Sequence, residues 1–331
     1  MRGRVRVFLF LLLCVPQASL AYDSCDAILS EADIRSTVDI LAHPALAGRG
    51  TGQRGFYVAG LFLARELRNA GFMPLPNNTE GYFQTFRAYT GAKAGGEISR
   101  NVIGYLPGKV SGEYVIIGAH YDHLGEEMGT TYLGADDNAS GTSGVLAIAR
   151  QLGACVGSGK KLRRSVIVGF WGAEEMGLVG SEYFVASNIV PLKEIVTVFN
   201  LDMVGRNNPR QLTAIGAERP IDFPRANPIL EKLLQEENAK LVLPFAIGYE
   251  DGGVGYFNRT DSYSFFDASS PKNRLPVLTL TSLLHKDYHR PTDTPEKIDA
   301  GKVRNVAQLL YQIVVRLATS ALRPAYTTQT H

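Results

Sequence analysis

The stretch VIIGAHYDHLGEEMGTTYLGADDNASG, residues 115–141, decides the fold class. It begins with a continuous apolar run, passes through a loop rich in glycine and acidic residues, and leads into an apolar helical segment. The same order of apolar strand, polar loop and helix recurs further along the chain. Strands that are apolar throughout and separated by helices are typical of a parallel sheet covered on both sides. We therefore predict an α/β protein with a mostly parallel central sheet and helices on both faces.

The remaining predicted elements extend outward from this stretch. Further strands are predicted over Ser165–Trp171, Ile195–Leu201 and Leu275–Leu280, with shorter ones around Tyr82–Tyr89 and Ile98–Leu106. Helices are predicted over Ser140–Leu152, Pro228–Lys240 and Gly301–Leu317. A capping box at Ser30 predicts an earlier helix that continues to Leu41. No linker-like stretch or internal repeat divides the chain, so we expect one domain over residues 22–331.

Residues 1–21 have the features of a secretory signal peptide. Arg2, Arg4 and Arg6 precede a short apolar run, and Ser19-Leu20-Ala21 places small residues at a cleavage site. The apolar run is too short to span a bilayer, and no second long apolar stretch follows it. We therefore expect cleavage after residue 21, export to the periplasm or the extracellular space, and no stable membrane insertion of the mature chain.

Composition and cysteine content narrow the class of protein further. The 331 residues are 45% hydrophobic, which is the composition of a globular protein, and 34 Lys and Arg stand against 32 Asp and Glu. This balance gives no basic field that would indicate a nucleic-acid partner. Cys25 and Cys155 remain after signal cleavage. They form one disulfide, or Cys155 is a buried apolar residue and Cys25 a free thiol; the sequence leaves both open because it does not give the Cα–Cα distance.

Chemically active side chains follow the predicted strands at the points where the strands end. They are His120, Asp122, Asp137, Glu174, Glu175, Asp202 and His289. Because ligands of open parallel sheets bind at the carboxyl ends of the strands, we expect these groups at one rim of the sheet. Imidazoles with several carboxylates suit zinc and are too rich in nitrogen for a calcium cage. There are more donors than one catalytic zinc requires, and a two-metal site with a bridging carboxylate accounts for the surplus.

Five motifs in order resemble those of the co-catalytic two-zinc aminopeptidases, family 28 of the metallopeptidases. They are His120-x-Asp122, Gly134-Ala-x-Asp137-Asn138-x-Ser140-Gly141, Glu174-Glu175, Asn200-x-Asp202-Met203 and Tyr288-His289-x-x-x-Asp293-Thr294. The resemblance implies the phosphorylase/hydrolase-like zinc exopeptidase fold, two Zn²⁺ ions per chain and peptide substrates. It implies that His120 and Asp202 hold one zinc, that Glu175 and His289 hold the other, and that Asp137 bridges the two.

The resemblance also implies the catalytic roles. Glu174 would be the general base, Tyr288 would donate a hydrogen bond to the developing oxyanion, and Asp122 would hydrogen-bond the His120 ring nitrogen that faces away from the metal. A water that bridges two zinc ions has a lowered pKa, so a hydroxide nucleophile is available near neutral pH. The neighbouring carboxylates of Glu174 and Glu175 can serve base and ligand separately only where the backbone is irregular, since on a regular strand they would face opposite ways.

The other histidines and one further acid are expected to be structural. A lone histidine is more often part of the fold than a metal ligand, so His43, His123 and His285 are predicted to lie outside the metal site. Asp136 is expected to support its neighbour Asp137 without binding metal. The family pattern uses the histidine that follows Tyr288, which argues against His285.

Two other features of the sequence have simple structural interpretations. Gly50-Thr-Gly52-Gln-Arg-Gly55 matches a dinucleotide fingerprint, but no strand precedes it, so we expect a tight turn that caps the next helix. Asp261 is expected to cap the segment Ser262–Phe266 rather than to touch substrate.

The predicted function is removal of N-terminal residues from peptides. Alternatives on the same fold are a single-zinc acyltransferase resembling glutaminyl cyclase, a carboxypeptidase or dipeptidase, and a binding protein without catalysis. The full set of ligands together with a base argues against the binding protein, and the motifs Glu174-Glu175-Met-Gly and Asn200-x-Asp202-Met favour a peptidase over the cyclase. Loops such as Ala246–Tyr256 are expected to build the specificity pocket. The preferred first residue and the oligomeric state are not predictable from the sequence.

Overall fold

The protein is described by a computed structural model over residues 25–89, 96–216, 227–250, 256–270 and 273–325. The predicted signal peptide, residues 1–21, lies outside these ranges. The strands are β1 (Phe83–Ala88), β2 (Glu97–Leu106), β3 (Tyr114–His120), β4 (Gly125–Glu127), β5 (Thr130–Tyr132), β6 (Ser165–Trp171), β7 (Ile195–Leu201), β8 (Gln211–Ile215), β9 (Ala246–Glu250) and β10 (Val277–Thr281). The α-helices are α1 (Glu31–Leu41), α2 (Arg54–Asn69), α3 (Gly141–Gly157), α4 (Val179–Ala186), α5 (Pro228–Asn238), α6 (Asp261–Asp267) and α7 (Ala300–Thr319).

Eight of the described strands form one mixed sheet in the order β1-β2-β6-β3-β7-β10-β8-β9. Its centre is parallel, because β3 pairs with β6 and β7, and β7 pairs with β10, all in parallel register. β1, β2 and β8 pair antiparallel with their neighbours β2, β6 and β10. The predicted mostly parallel sheet is therefore confirmed, and its parallel centre brings the ends of β3, β6 and β7 to the same rim.

Helices cover both faces of the sheet, as predicted. On one face a large buried cluster includes Val38 of α1, Leu63 of α2, Ile148 of α3 and Val314 of α7. On the other face a smaller cluster contains aromatic side chains from α4, α6 and β6. They are Phe184, Phe265 and Trp171. The strands lie between two apolar layers, which explains why they are apolar throughout rather than alternating.

The first helix begins as the sequence predicts. The Ser30 hydroxyl accepts a hydrogen bond of 3.1 Å from the backbone N–H of Asp33, so it caps α1. At α2 the expectation differs from the structure. Gln53 occupies the N-cap position without a side-chain cap, and its Oε1 accepts instead from the backbone N–H of Glu126. The glycine-rich segment before α2 therefore connects to the β4–β5 hairpin, which the sequence pattern did not predict.

The structure resolves the choice between the two states of the cysteines in favour of a disulfide. Cys25 and Cys155 are bonded with their Cα atoms 4.6 Å apart, and both are buried. The bond fixes the start of the described chain to the end of α3 and closes a long loop across 130 positions. None of the described helices is long and apolar enough to cross a membrane.

Candidate metal centre

Four segments that follow strands of the sheet, and the segment before α3, bring the predicted site residues to one cleft. The cleft has a volume of about 260 Å³. Its polar floor is formed by His120, Asp137, Glu174, Glu175, Asp202, Tyr288 and His289. Seven of the eight predicted site residues therefore line the cleft, and Asp122 lies directly behind its floor.

Asp137 lies at the centre of this group and reaches two imidazoles with different oxygens. Its Oδ1 is 3.3 Å from His120 Nε2, and its Oδ2 is 3.1 Å from His289 Nε2. On one side His120 Nε2 is also 3.4 Å from Asp202 Oδ1, and on the other His289 Nε2 is 3.0 Å from Glu175 Oε2. The five predicted ligands thus form two groups that share Asp137.

The chemistry of these groups fits zinc. The ligand atoms of His120, Asp137 and Asp202 all lie within 4.8 Å of one another. His289 Nε2 is buried and makes no well-aligned hydrogen bond to any described residue, although two carboxylate oxygens are near it. Burial opposes a charge on His120, yet the carboxylates, Glu174 and Asp202 foremost, raise its pKa well above the ordinary value. The carboxylates around His120 therefore attract a positive charge to this site. A set of nitrogen and oxygen donors of this kind suits zinc.

The backbone after β6 separates the two adjacent glutamates, as the sequence predicts. β6 ends at Trp171, and Ala173 adopts a left-handed φ of 58° immediately before Glu174. Glu175 consequently faces His289, while Glu174 Oε2 lies 3.9 Å from His120 Nε2. Burial is the largest effect on Glu174, and together with neighbouring carboxylates such as Glu175 it raises the Glu174 pKa well above the ordinary value, although His120 opposes the rise.

Asp122 is fully buried, but its carboxylate has different partners from those expected. His120 Nδ1 lies 3.3 Å from the backbone carbonyl oxygen of Asp122 and 3.8 Å from its Oδ1, which is beyond hydrogen-bond distance. The carboxylate instead accepts from the backbone N–H of Glu174 at 3.1 Å and of Glu175 at 3.4 Å. It also accepts from the Thr51 hydroxyl at 3.0 Å. These three donors orient the carboxyl group towards the glutamate turn, so only the main chain of Asp122 contacts the ring.

The motif around Asp137 is held by its own polar side chains. Asn138 Oδ1 accepts from the backbone N–H groups of Gly141 and Met203, and its amide donates to Leu201 O. These bonds attach the Asp137 segment to the end of β7, beside Asp202. A Cβ at Gly141 would lie 2.3 Å from Asn138 Oδ1 and from Leu201 O, so glycine is required there.

Asp136 and His285 have the structural roles predicted for them. Asp136 Oδ1 accepts from Gly205 N at 2.7 Å, and its Oδ2 lies 3.2 Å from His285 Nε2. Both side chains are buried, and neither lines the cleft. His43 is also structural, since its Nδ1 accepts from Ala45 N in the turn after α1.

His123 lies closer to the predicted ligands than the sequence reasoning expected. Its Nδ1 is 2.8 Å from Glu175 Oε1 and 3.7 Å from Asp137 Oδ2, and His123, Asp137 and Glu175 form a group that could hold a metal. Gly134 permits this approach, because a Cβ there would lie 2.4 Å from the His123 ring. The position of His123 directly after Asp122 was the one sequence signal for a place near the ligands. The general rule that a lone histidine is structural was given more weight than that signal.

Asp261 does not cap a helix, which corrects the second expectation. It is the first residue of α6, Thr260 holds the N-cap position, and no side-chain cap is formed. Asp261 is 1% exposed, and neither carboxylate oxygen has a hydrogen-bond partner among the described residues. Burial, reinforced by Asp202 and opposed by His120, raises the pKa of Asp261 to about 7. A buried carboxyl group therefore lies in the electrostatic field of the cleft.

Tyr288 is held by two neighbours. Its ring stacks on that of His289 with centroids 3.8 Å apart, and its phenol oxygen accepts a hydrogen bond of 2.6 Å from Arg259 Nη2. Burial, with Asp137 next in effect, raises the pKa of Tyr288 above its ordinary value, so the phenol keeps its proton. Because the oxygen accepts from Arg259, its own O–H remains available to donate to another group.

Arg49 is a supporting residue that the sequence reasoning missed. Its side chain is fully buried and donates to the backbone carbonyls of Leu41, Tyr121, Leu133 and Gly134. Two of these carbonyls flank the segments that carry His120 and Asp137. Nothing in the sequence indicated that Arg49 is buried, because arginine side chains are exposed in most proteins.

Apolar side chains form the walls of the cleft above the polar floor. They are Leu178, Met203, Ile215, Leu283 and Leu284. The expected loop Ala246–Tyr256 contributes Tyr256, but its first part is β9, at the edge of the sheet and parallel to β8. Residues 251–255 of that segment lie outside the described residues. The apolar walls therefore come from the segments after β6, β7 and β10 and from the last residue of β8.

Comparisons with known proteins identify relatives in sequence and in fold. A probable lipoprotein aminopeptidase, LpqL of Mycobacterium tuberculosis, is 37% identical over 134 residues; the match covers 40% of this chain and 25% of that protein. The chain thus spans about a quarter of that relative. An aminopeptidase from Aneurinibacillus sp. strain AM-1 has a similar fold, with a TM-score of 0.66 and 18% identity over 92% of this chain and 97% of that one.

A glutaminyl cyclase from Porphyromonas gingivalis is equally similar in fold, with a TM-score of 0.67 and 18% identity over 87% of this chain and 98% of that one. At such identity the likeness describes the fold alone.

The family model of peptidase family M28 matches residues 101–314, which include every predicted site residue. With this match over more than half of its length, the chain belongs to peptidase family M28.

Proposed function

We propose that this chain is an exported two-zinc aminopeptidase that hydrolyses the first peptide bond of peptides. The observation that carries the proposal is the position of Asp137, whose two carboxylate oxygens face His120 and His289 separately. A carboxylate with one oxygen for each of two donor groups is the arrangement that a bridging ligand requires.

The residues that would hold the two ions divide into the two groups around Asp137. His120 and Asp202 would hold one zinc, Glu175 and His289 would hold the other, and Asp137 would contribute to both. Bound zinc supplies a water of lowered pKa as the nucleophile and Lewis-acid stabilisation of the carbonyl oxygen.

Glu174 is the proposed general base. It lines the cleft beside His120 but makes no hydrogen bond to a described side chain, so its carboxylate is free to contact a water molecule. It would take a proton from the attacking water and return that proton to the leaving amine. General acid–base catalysis of this kind contributes about 10²- to 10⁴-fold.

Tyr288 is the proposed donor to the oxyanion. Arg259 occupies the acceptor side of its phenol oxygen, which leaves the O–H for the carbonyl oxygen of the scissile bond. A carboxylate of the floor that does not bind zinc would favour a free α-ammonium group of the substrate. The apolar walls would accommodate an apolar side chain of the first residue.

The disulfide supports the proposed export. Disulfides persist in oxidising compartments such as the periplasm and the extracellular space, and Cys25–Cys155 is buried and formed. N-terminal sequencing of the secreted protein tests this part of the proposal. A mature chain that begins at Tyr22 is expected, and full-length protein retained in the cytoplasm would contradict it.

A substrate panel separates aminopeptidase activity from the alternatives. We expect chelator-sensitive release from aminoacyl chromogenic amides that carry a free amine and none from N-acetylated ones. Activity confined to N-terminal glutamine, with one zinc per chain, would favour a cyclase, the activity named for the structural neighbour from Porphyromonas gingivalis. Turnover only of dipeptides or of peptides with a free C-terminus would favour a dipeptidase or carboxypeptidase.

A further inference from the structure

Arg259 contributes a positive charge to the lining of the cleft, beside Tyr288. Among the described residues that line the cleft it is the one Lys or Arg side chain. It lies in the short 3₁₀ turn Phe257–Arg259 that precedes α6, and its side chain is exposed. No carboxylate of the described part of the chain forms an ion pair with it.

Most of the N–H donors of the Arg259 guanidinium have no acceptor among the described residues. The group offers five N–H donors in a planar fork. The described residues accept from one nitrogen, Nη2, through the 2.6 Å bond to Tyr288 Oη. Its central carbon lies 5.8 Å from the centre of the Tyr288 ring, so the guanidinium sits at the outer edge of that side chain.

The distance between Arg259 and the scissile bond follows from the role proposed for Tyr288, and this inference rests on that proposed function. If Tyr288 donates to the scissile carbonyl oxygen, the guanidinium lies two hydrogen bonds from that oxygen, or about 5 Å. Neighbouring residues of a peptide have Cα atoms about 3.8 Å apart. A carboxylate on either residue of the scissile bond can therefore reach the guanidinium.

We propose that Arg259 forms a subsite for a substrate carboxylate beside the scissile bond. The planar fork matches a carboxylate in a bidentate contact. Arg259 is the cationic side chain that the described lining of the cleft offers to such an anion. The carboxylate is the C-terminal group of a dipeptide or the acidic side chain of the first residue, and both present the same chemistry to Arg259.

A purely positioning role for Arg259 makes a different prediction. If the guanidinium only orients Tyr288, its loss slows every substrate by the same factor. If it binds a carboxylate, its loss slows a substrate that carries the carboxylate more than a matched substrate that lacks it. The ratio of kcat/KM within a matched pair therefore separates the two roles.

The experiment uses the zinc-loaded full-length mature protein and two substrate pairs. Leu-Ala against Leu-Ala-amide tests the C-terminal carboxylate, and Glu-Ala-amide against Gln-Ala-amide tests the acidic side chain. The variants are Arg259→Gln, Arg259→Lys and Tyr288→Phe. Arg68→Gln, at an exposed arginine of α2 outside the cleft, is the matched control. Zinc content and thermal unfolding show that each variant is folded and loaded.

We expect the unaltered protein to favour the carboxylate member of one pair by about tenfold to a hundredfold, the range for a charged hydrogen-bond pair. Arg259→Gln should abolish that preference, Arg259→Lys should keep part of it, and Tyr288→Phe should slow both members equally. The pair that responds identifies the source of the carboxylate. The subsite is contradicted if neither pair shows a preference, or if the preference survives in Arg259→Gln. If the unaltered protein hydrolyses none of the four substrates, the proposed aminopeptidase is contradicted instead.

Discussion

Asp122 Oδ1 accepts a hydrogen bond of 3.1 Å from the backbone N–H of Glu174. This contact connects the end of β3 with the turn after β6, and thus the segment of one metal ligand with that of the proposed base. Since the second oxygen of Asp122 accepts from Glu175 and Thr51, the buried carboxylate fixes the main chain of the glutamate turn. Asp122 therefore acts here through Glu174 and Glu175, and contacts His120 only through its main chain.

Asp122→Asn is expected to lower kcat by about tenfold to a hundredfold while zinc remains bound. The asparagine amide places an NH₂ group opposite N–H donors that need an acceptor, so the turn that carries Glu174 shifts. Loss of a residue that orients the site residues typically has an effect of this size. Thr51→Val, which removes one of the three hydrogen bonds, should have a smaller effect. Kinetics and zinc analysis of both variants test this, and an Asp122→Asn variant with unchanged kcat would show that the contact is dispensable.

Glu174→Gln is expected to retain zinc and to lose turnover by about two to four orders of magnitude. The amide preserves the shape of the side chain but cannot take a proton from water. Glu174 is not one of the five ligands that surround Asp137, so metal content should not change. Single-turnover rates measured together with zinc content test this, and rates near those of the unaltered protein would remove Glu174 as the base.

Asp261 is predicted to make stability depend on pH. Its folded pKa of about 7 lies above the unfolded value near 3.8, so the folded state binds the proton more tightly. The stability that this group contributes is complete below pH 3.8 and is lost as the pH rises through 7, with a slope of up to about 1.4 kcal/mol per pH unit. Asp261→Asn should therefore gain stability relative to the unaltered protein between pH 5 and pH 8.

Urea unfolding of the chelated protein at several pH values measures this difference. Asp267→Asn, at an exposed position in the same helix, is the control. A stability difference for Asp261→Asn that stays constant with pH would mean that Asp261 is charged in the folded protein throughout this range.

Arg49 is predicted to stabilise the segments that carry the ligands. Arg49→Met removes the donors of four carbonyl groups, of which those of Leu41, Tyr121 and Gly134 are bonded to Arg49 deep inside the protein. Each unsatisfied buried group costs about 1–3 kcal/mol, so a loss of several kcal/mol of unfolding free energy is expected. The exposed Arg54→Met should change little. Urea unfolding of both tests this, and equal effects would exclude a special role for Arg49.

The sequence predicted those parts of the fold that depend on local pattern. The apolar runs of β3, β6, β7 and β10 each fill a strand between two layers, so their hydrophobicity alone indicated a parallel sheet. The short strands β8 and β9, of which β9 lies at the edge of the sheet, carry too few apolar residues for such a signal. Their pairing depends on contacts with distant segments, which the local pattern does not contain.

A site residue was predictable where its position relative to a strand or helix of the local sequence determines where its side chain lies. His120 ends β3 and Asp202 directly follows β7, and the two meet because these strands are parallel, while Asp137 lies in the segment before α3. The surroundings of Asp261 and His123 were not predicted, because they come from other elements. Asp261 is placed by α6 against the cleft, and His123 is brought to Glu175 by the fold of the loop. Local rules for helix caps and lone histidines contain no information on those tertiary contacts.

Zinc content of Asp137→Ala, compared with that of Glu174→Gln and the unaltered protein, tests the central claim most directly. One side chain is proposed to serve two ions, so its removal should reduce the content from two zinc per chain to well below one. Glu174→Gln should retain both ions and thus control for the effect of mutation at the cleft. Circular dichroism of Asp137→Ala should confirm that the fold persists. An Asp137→Ala variant that still binds two zinc ions per chain would contradict the shared carboxylate.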